Sequence, residues 1–307
     1  MTKVTALAGA STGMGAAIVD ALVEKGVTDF FVLSRRPSAD PNSLTVNYDN
    51  IDQLQDALER HNIHTVISTL PISDDTSGRA QMNLIQAADR ASFTRRFIPS
   101  EFGMHYKETN IGHLPQYAWK LKAAKALEAS SLEYTLVSIG LFLDYWSTPR
   151  IPTRLTNAPP MFLDLENRFA ALPGDGTTPL VLTHSRDAGR FTAALLDVPR
   201  WKTRYAIIGI RTTLIEAVRA IEAVLGTPLD VHYDSLSVLR EGKATLTPRL
   251  EAIVKGTSME PFMMSLVAQT GLLVNAGEMD LQTRDNLTKM FPDIKPLGIR
   301  DVAEAWR

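Results

Sequence analysis

The sequence contains no cysteine. That excludes a disulfide framework, a thiolate metal site and a cysteine nucleophile. An excess of either charge is also missing. Against 34 Asp and Glu stand 32 Lys and Arg, a formal net charge of -2. No overall basic field argues for nucleic acid, and no acidic tail for a basic partner. Long apolar runs are absent too. None reaches the roughly 18 residues that a membrane span needs, and the longest candidate, from Met263 to Val274, is broken by Ser265, Gln269 and Thr270. The N-terminal run Met1-Thr2-Lys3-Val4-Thr5 passes straight into an apolar strand. It leaves no room for the apolar core and small-residue cleavage site of a removable signal peptide. There is no internal repeat and no low-complexity segment. These absences lead us to expect a soluble, cytoplasmic chain with no nucleic-acid or membrane partner.

What is present is an α/β rhythm. Short apolar runs, Val4 to Ala8, Phe30 to Leu33, Leu44 to Val46, Thr65 to Ser68, Arg96 to Ile98 and Tyr134 to Ser138, alternate with helical patterns. The helices are expected over Gly15 to Lys25, Ile51 to His61, Gln81 to Ala91 and Pro115 to Ser130. Such alternation implies a Rossmann-type, doubly wound parallel sheet with helices on both faces. After about Trp146 the rhythm breaks. Pro149, Pro152, Pro159, Pro160 and Pro173 precede Gly174-Asp175-Gly176, a shift towards loops. Later helices are expected near Asp187 to Leu196, Leu214 to Leu225 and within 247 to 275, with strands near Tyr205 to Ile208 and Leu229 to Tyr233. The expected division is a nucleotide-binding domain over 1–150, its sheet completed by parts of 178–210, and a smaller C-terminal α/β substrate domain over 151–307.

The loop after the first strand reads Gly9-Ala10-Ser11-Thr12-Gly13-Met14-Gly15. Glycines there permit a tight turn and let backbone N–H groups approach a pyrophosphate, and the following helix N-terminus adds free donors and partial positive charge. Gly9, Ser11, Thr12, Gly13, Met14 and Gly15 are therefore candidate cofactor contacts. In NAD-binding members of this fold an acidic residue ends the second strand and holds the ribose hydroxyl. Here that strand ends Leu33-Ser34-Arg35-Arg36. An arginine fork suits a 2′-phosphate, so NADPH is expected, with Arg35 or Arg36 as the clamp and Ser34 assisting. The nicotinamide should lie at the carboxyl ends of later strands, near Thr69-Leu70-Pro71 and Ser100-Glu101-Phe102-Gly103.

One lysine faces the wrong way. At about 100° per residue, Leu127, Ala123 and Ala124 fall within about 60° of Lys120, while Lys122 and Lys125 fall near the opposite side. An inward lysine is costly unless it has a role or a partner, and burial moves its pKa towards useful acid–base chemistry. Tyr117 lies one turn away and could offer a phenol to the same cleft. The histidines assemble into nothing. His61 and His64 straddle a helix end and a strand, and His105, His113, His184 and His232 are isolated, so no catalytic metal is expected.

The run Arg96-Phe97-Ile98-Pro99-Ser100-Glu101-Phe102-Gly103 resembles the strand-five signature of the NmrA-like and isoflavone-reductase-like proteins, the atypical short-chain dehydrogenases. Gln81 with Leu84 to Ala88, Tyr117-x-x-Lys120, Ala126-Leu127-Glu128 and Tyr134 to Ser138 agree in order and spacing, and Gly174-Asp175-Gly176 and Asp187-Ala188-Gly189 match later landmarks. The likeness covers about residues 4 to 200. It implies NADPH, hydride transfer, and a catalytic lysine at Lys120, which also touches the cofactor. It implies a pocket between the nucleotide-binding domain and the smaller C-terminal domain. Phe102, Gly103, Met104, Phe142 and Trp146 are the expected lining, suited to an apolar, aromatic, secondary-metabolite-like small molecule. The bond reduced is left open among C=O, C=C, C=N and a benzylic ether, and the assembly between monomer and homodimer. Two other readings stand beside it: an NADP(H)-sensing regulatory protein without catalysis, and a ketone reductase with Tyr117 as proton donor.

Overall fold

The computed structural model describes residues 3–156 and 159–307; Met1, Thr2, Asn157 and Ala158 lie outside the described residues, and with them the first two positions of the N-terminal run. The chain forms two compact units, and it passes between them several times.

The first unit comprises Met1–Ser138, Ala188–Ile207 and Thr283–Ile294. Its strands are β1 (Val4–Ala8), β2 (Phe30–Ser34), β3 (Ser43–Thr45), β4 (Ile63–Ser68), β5 (Arg96–Ile98) and β6 (Glu133–Tyr134). They form one parallel sheet in the order β3-β2-β1-β4-β5-β6. This is the Rossmann order, whose crevice opens beyond the carboxyl ends of the strands where the winding reverses, between β1 and β4. Both faces are covered, so β1 reads as an unbroken apolar run with Thr5 to Ala8 all buried. The helices are α1 (Gly13–Glu24), α2 (Ile51–Arg60), α3 (Asp75–Arg90) and α4 (Tyr117–Glu128). α2 starts on Asn50, whose side chain accepts from the Gln53 N–H, and α3 on an Asp74–Ser77 capping box. Leu54, Leu58, Leu84, Phe97, Ala123 and Leu127 share one core with Ala6, Ala8 and Val66. Each buried leucine contributes about 1.5–3 kcal/mol relative to exposure.

The expected strand from Tyr134 to Ser138 divides at Thr135. Glu133–Tyr134 pairs with β5, and then β7 (Leu136–Ser138) pairs in parallel with the strand Arg204–Ala206. α3 begins six residues before the expected Gln81, because the Asp74 cap outweighs the weak helix formers Ser77 and Gly78.

The second unit comprises Ile139–Asp187, Ile208–Gln282 and Lys295–Arg307. It contains two three-stranded sheets. In one, Phe169–Pro173 lies between Leu163–Asp164 and Asp230–Asp234; in the other, Pro179–Thr183 lies between Ile210–Thr213 and Leu141–Phe142. The stretch that reads as loops from its prolines thus contains strands. Pro173 is the last residue of one strand and Pro179 the first of the next, positions where a missing N–H costs little. Gly174 and Gly176 turn the chain between them, both at positive φ. Among the described residues no helix is long and apolar enough to cross a membrane.

Candidate active site

The loop between β1 and α1 is built on positions that admit no side chain. Gly9 has φ +77°, and a Cβ there would lie 2.7 Å from the Thr69 carbonyl carbon and oxygen. A Cβ on Gly15 would meet Thr69 Oγ1 at 2.3 Å and Ala10 Cα at 2.6 Å. Thr69 in turn is fixed by two hydrogen bonds to one acceptor, its N–H at 2.9 Å and its hydroxyl at 2.8 Å from the Ala8 carbonyl. The end of β4 is thereby pressed onto the glycine loop. Ser11 and Thr12 are exposed, Gly13 is half-buried at φ +63°, and Met14 is buried. The Thr12 side chain makes no capping hydrogen bond to α1, and the first turn holds no acidic residue. The opening turn of α1 therefore keeps N–H donors for an anion.

Beside this loop, at the ends of β2 and β4, is a cavity of about 410 Å³ lined in part by Arg35, Tyr48, Asp49, Leu70, Pro71 and Asp74. Arg35 and Arg36 are exposed. The Ser34 hydroxyl donates to the Arg36 carbonyl at 2.8 Å and accepts from the Arg36 N–H at 3.1 Å, so it shapes the turn that presents the two arginines. Tyr48 is buried and donates to the Leu33 carbonyl at 3.0 Å; burial holds its phenol in the neutral form.

The second cluster lies at the end of β5. Ser100 is held by its hydroxyl to the Leu70 carbonyl at 2.8 Å and by its N–H to Gln81 Oε1 at 2.7 Å. Phe102 takes a left-handed backbone, φ +32°, and its N–H donates to the Val137 carbonyl at 3.0 Å. A non-glycine residue there is strained, and such strain collects at functional loops. Gly103 is half-buried and Met104 buried. Lys120 points inward from α4 and is only 9% exposed. Its ammonium donates to the carbonyls of Ser100 at 2.8 Å and Glu101 at 2.7 Å, and lies 4.5 Å from the centre of the Tyr106 ring. Tyr117 is half-buried and meets Tyr106 edge-on at 4.6 Å. By contrast Lys122 and Lys125 are exposed, the latter paired with Glu108 at 2.9 Å.

Burial draws the Lys120 pKa down to about 8, opposed by the Glu101 carboxylate. Burial likewise pushes Glu101 up to about 7, opposed by Lys120 and then Arg204. Each group sits in the low-dielectric interior where its charged form is disfavoured, and each partly restores the other.

Thr69, Leu70, Ser100, Glu101, Phe102, Lys120 and Tyr117 thus come together in one unit with the glycine loop and the two arginines. Phe142 and Trp146 belong to the second unit. Phe142 is half-buried, its ring 6.1 Å from Tyr145. Trp146 is buried, its indole donating to the Met161 carbonyl at 2.8 Å and its own carbonyl accepting from Trp306 at 2.8 Å. Sequence reasoning missed Arg204, which has no motif around it and reaches Glu101 only because its strand adds beside β7. It also took His184 as isolated. The structure corrects this: His184 Nε2 lies 3.6 Å from Asp144 Oδ1, and the Asp144 carboxylate, fully buried, accepts from Thr153, from the Ser185 hydroxyl at 2.6 Å and from the Ser185 N–H at 2.8 Å. Asp144 lies forty residues before His184, a pairing that no local spacing reveals. Among the described residues no group of three or more metal-ligating side chains gathers.

Comparison with known proteins places this geometry. A family model described as the NmrA-like family matches residues 1–255. Oxidoreductase BOA1 of Botryotinia fuckeliana is 38% identical, over 72% of this chain and 75% of its own. Oxidoreductase swnN of Metarhizium robertsii is 27% identical over 97% of this chain and 95% of its own. Among solved structures, the binary complex of leucoanthocyanidin reductase with NADPH from Vitis vinifera superposes with a TM-score of 0.73 at 19% identity, covering 98% of both chains, a likeness of fold.

Proposed function

The chain belongs to the NmrA-like family and is an oxidoreductase, and from that premise we propose that it is an NADPH-dependent reductase in which Lys120 is the acid. The observation that carries the proposal is the inward ammonium of Lys120, anchored on the Ser100 and Glu101 carbonyls at the carboxyl end of β5. The residues present fit the dinucleotide. Gly9 and Gly15 form a cradle that a Cβ would fill, the first turn of α1 offers N–H donors to the pyrophosphate, and Arg35 offers a fork to a 2′-phosphate at the cavity. No acidic residue ends β2 to hold a free ribose hydroxyl. The fold likeness to an NADPH complex supports the same cofactor.

When bound, the dinucleotide supplies the hydride. The chain's part is to orient the acceptor and to move the proton. Lys120 gives an N–H to the oxygen or leaving atom of the substrate as negative charge develops there, and regains a proton from solvent afterwards. Its pKa of about 8 keeps it mostly charged at neutral pH while making the transfer easier than from an ordinary lysine. Tyr106 and Tyr117 shape the wall beside the ammonium, and Phe102 and Met104 add apolar surface. That lining fits an apolar, aromatic small molecule. Turnover of Lys120→Ala tests the reading, with NADPH affinity measured alongside. Turnover should fall about 10²–10⁴-fold, the usual contribution of a positioned acid, while NADPH still binds. A Lys120→Ala variant that turns over substrate like the parent sinks it.

A further inference from the structure

Glu101 is a carboxylate in a costly place. Its side chain is only 2% exposed, and its Oε2 has no hydrogen-bond partner. A buried carboxylate left short of donors is expensive, so its presence calls for a compensating interaction. The hydrogen bonds of the Lys120 ammonium go to the main-chain carbonyls of Ser100 and of Glu101 itself, and not to the Glu101 carboxylate. The two side chains act on each other through space. The remaining charge near Glu101 is Arg204, whose Nη1 lies 3.9 Å from Glu101 Oε2 and which also donates to the Ser138 hydroxyl at 3.3 Å. Arg204 is a quarter exposed and lines an open cleft of about 310 Å³ with Leu121, Lys125, Glu128 and Tyr134. Three elements therefore gather two cations around one glutamate: Lys120 from α4, held on the Glu101 carbonyl at 2.7 Å, and Arg204 from the strand beside β7, 3.9 Å from the Glu101 carboxylate.

We propose that Glu101 is a positioning residue that holds Lys120 in its ammonium form at the working pH, and that Arg204 sets how much charge Glu101 carries. This rests on the reading of Lys120 as the acid. The groups that face the pair are the Tyr106 ring and, one ring further, Tyr117 on the lysine side, with Arg204 and behind it Tyr134 on the glutamate side. None of the tyrosines is an anion near neutral pH, so Glu101 is the negative charge that opposes desolvation of the lysine. With its carboxyl titrating near 7 and the lysine near 8, both are ionised in the window between. Arg204 widens that window from below by favouring the carboxylate.

The experiment is a side-chain NMR titration of Lys120 in the full chain, with lysine labelled and the resonance assigned by Lys120→Arg. In Glu101→Gln, an isosteric change that removes only the charge, the Lys120 midpoint should fall by about one pH unit or more, the usual effect of losing a close opposite charge. In Arg204→Gln the midpoint should fall by less, because Glu101 then stays partly protonated. In the double variant Arg204→Gln should lower the midpoint no further, since no carboxylate is left for it to act on. A midpoint unmoved by Glu101→Gln overturns the proposal. So does an Arg204→Gln shift of equal size with and without Glu101. Turnover separates this from the reading beneath it: the alkaline limb of kcat/KM should follow the NMR midpoint, and a limb that stays put while the midpoint moves removes Lys120 as the acid but leaves the charge pair standing.

Discussion

A phosphate monoester carries about -1.5 to -2 charge near neutral pH, so the side chain that meets a 2′-phosphate decides between the two nicotinamide dinucleotides. Arg35 lines the cavity at the end of β2, and the Ser34 hydroxyl ties down the turn that follows. Asp49 and Asp74 lie on the same wall, and the Asp74 Oδ1 is already occupied by the Ser77 N–H and hydroxyl. Reversing one charge should therefore change the preference. We expect Arg35→Glu to weaken NADPH binding at least tenfold, about 1.4 kcal/mol, with NADH binding little affected. Titration of cofactor fluorescence would measure both, and equal losses for the two dinucleotides would remove Arg35 from the clamp. The pair of arginines was legible from the strand end alone. Which of them faces the cavity was not, because that depends on a two-residue turn closed by the Ser34 hydroxyl.

The glycine loop keeps its shape because α1 is clamped from a second side. The helix Ser185–Leu195 crosses α1 so closely at Gly189 that a Cβ there would sit 2.4 Å from the Ala17 carbonyl oxygen and 2.8 Å from its carbon. The main chain of α1 cannot give way without moving its own first turn. Gly189→Ala should thus cost about 1–3 kcal/mol by overpacking and also loosen NADPH binding, although residue 189 is far in sequence from the loop. Urea unfolding and cofactor titration on the same variant check it; a loss of stability with unchanged affinity would show that the loop does not depend on this crossing. The sequence makes the helix near Asp187 visible through its periodicity, and Gly189 through a family landmark. It does not make visible that two helices about 170 residues apart touch, since periodicity reports a face and never its partner. The same limit explains the second unit. Parallel strands buried on both faces leave unbroken apolar runs, as in Val4–Ala8, and these are easy to read. Two-residue strands such as Leu163–Asp164 and strands ending in proline carry no period at all.

Chain that returns after the second unit has begun pairs with β7, and this return creates the Glu101–Arg204 pair. The chain leaves β5 at Thr135, and β7 takes Arg204–Ala206 as its parallel neighbour, which puts a guanidinium beside a carboxylate 103 positions earlier. The cost of that arrangement should be readable in the stability of the protein. Glu101 titrates near 7 when folded and near its ordinary 4.5 when unfolded. Between these values the folded chain holds the extra proton, so stability falls as pH rises. Lys120 titrates near 8 when folded against an ordinary 10.5. Between those values the unfolded chain holds the extra proton, so stability rises with pH. The two together predict a shallow minimum between pH 7 and 8, the window in which both charges are present. Replacing both, as Glu101→Gln with Lys120→Met, removes the minimum. Any fixed cost of the orphaned Ser100 and Glu101 carbonyls is the same at every pH, so the signature is the shape of the difference. The double variant should gain on the parent most between pH 7 and 8, by up to about 1–4 kcal/mol as for other buried ion pairs replaced by neutral groups. Denaturation midpoints of the two proteins across that range would show it, and a difference that does not vary with pH would mean that neither group is held away from its ordinary titration by the fold.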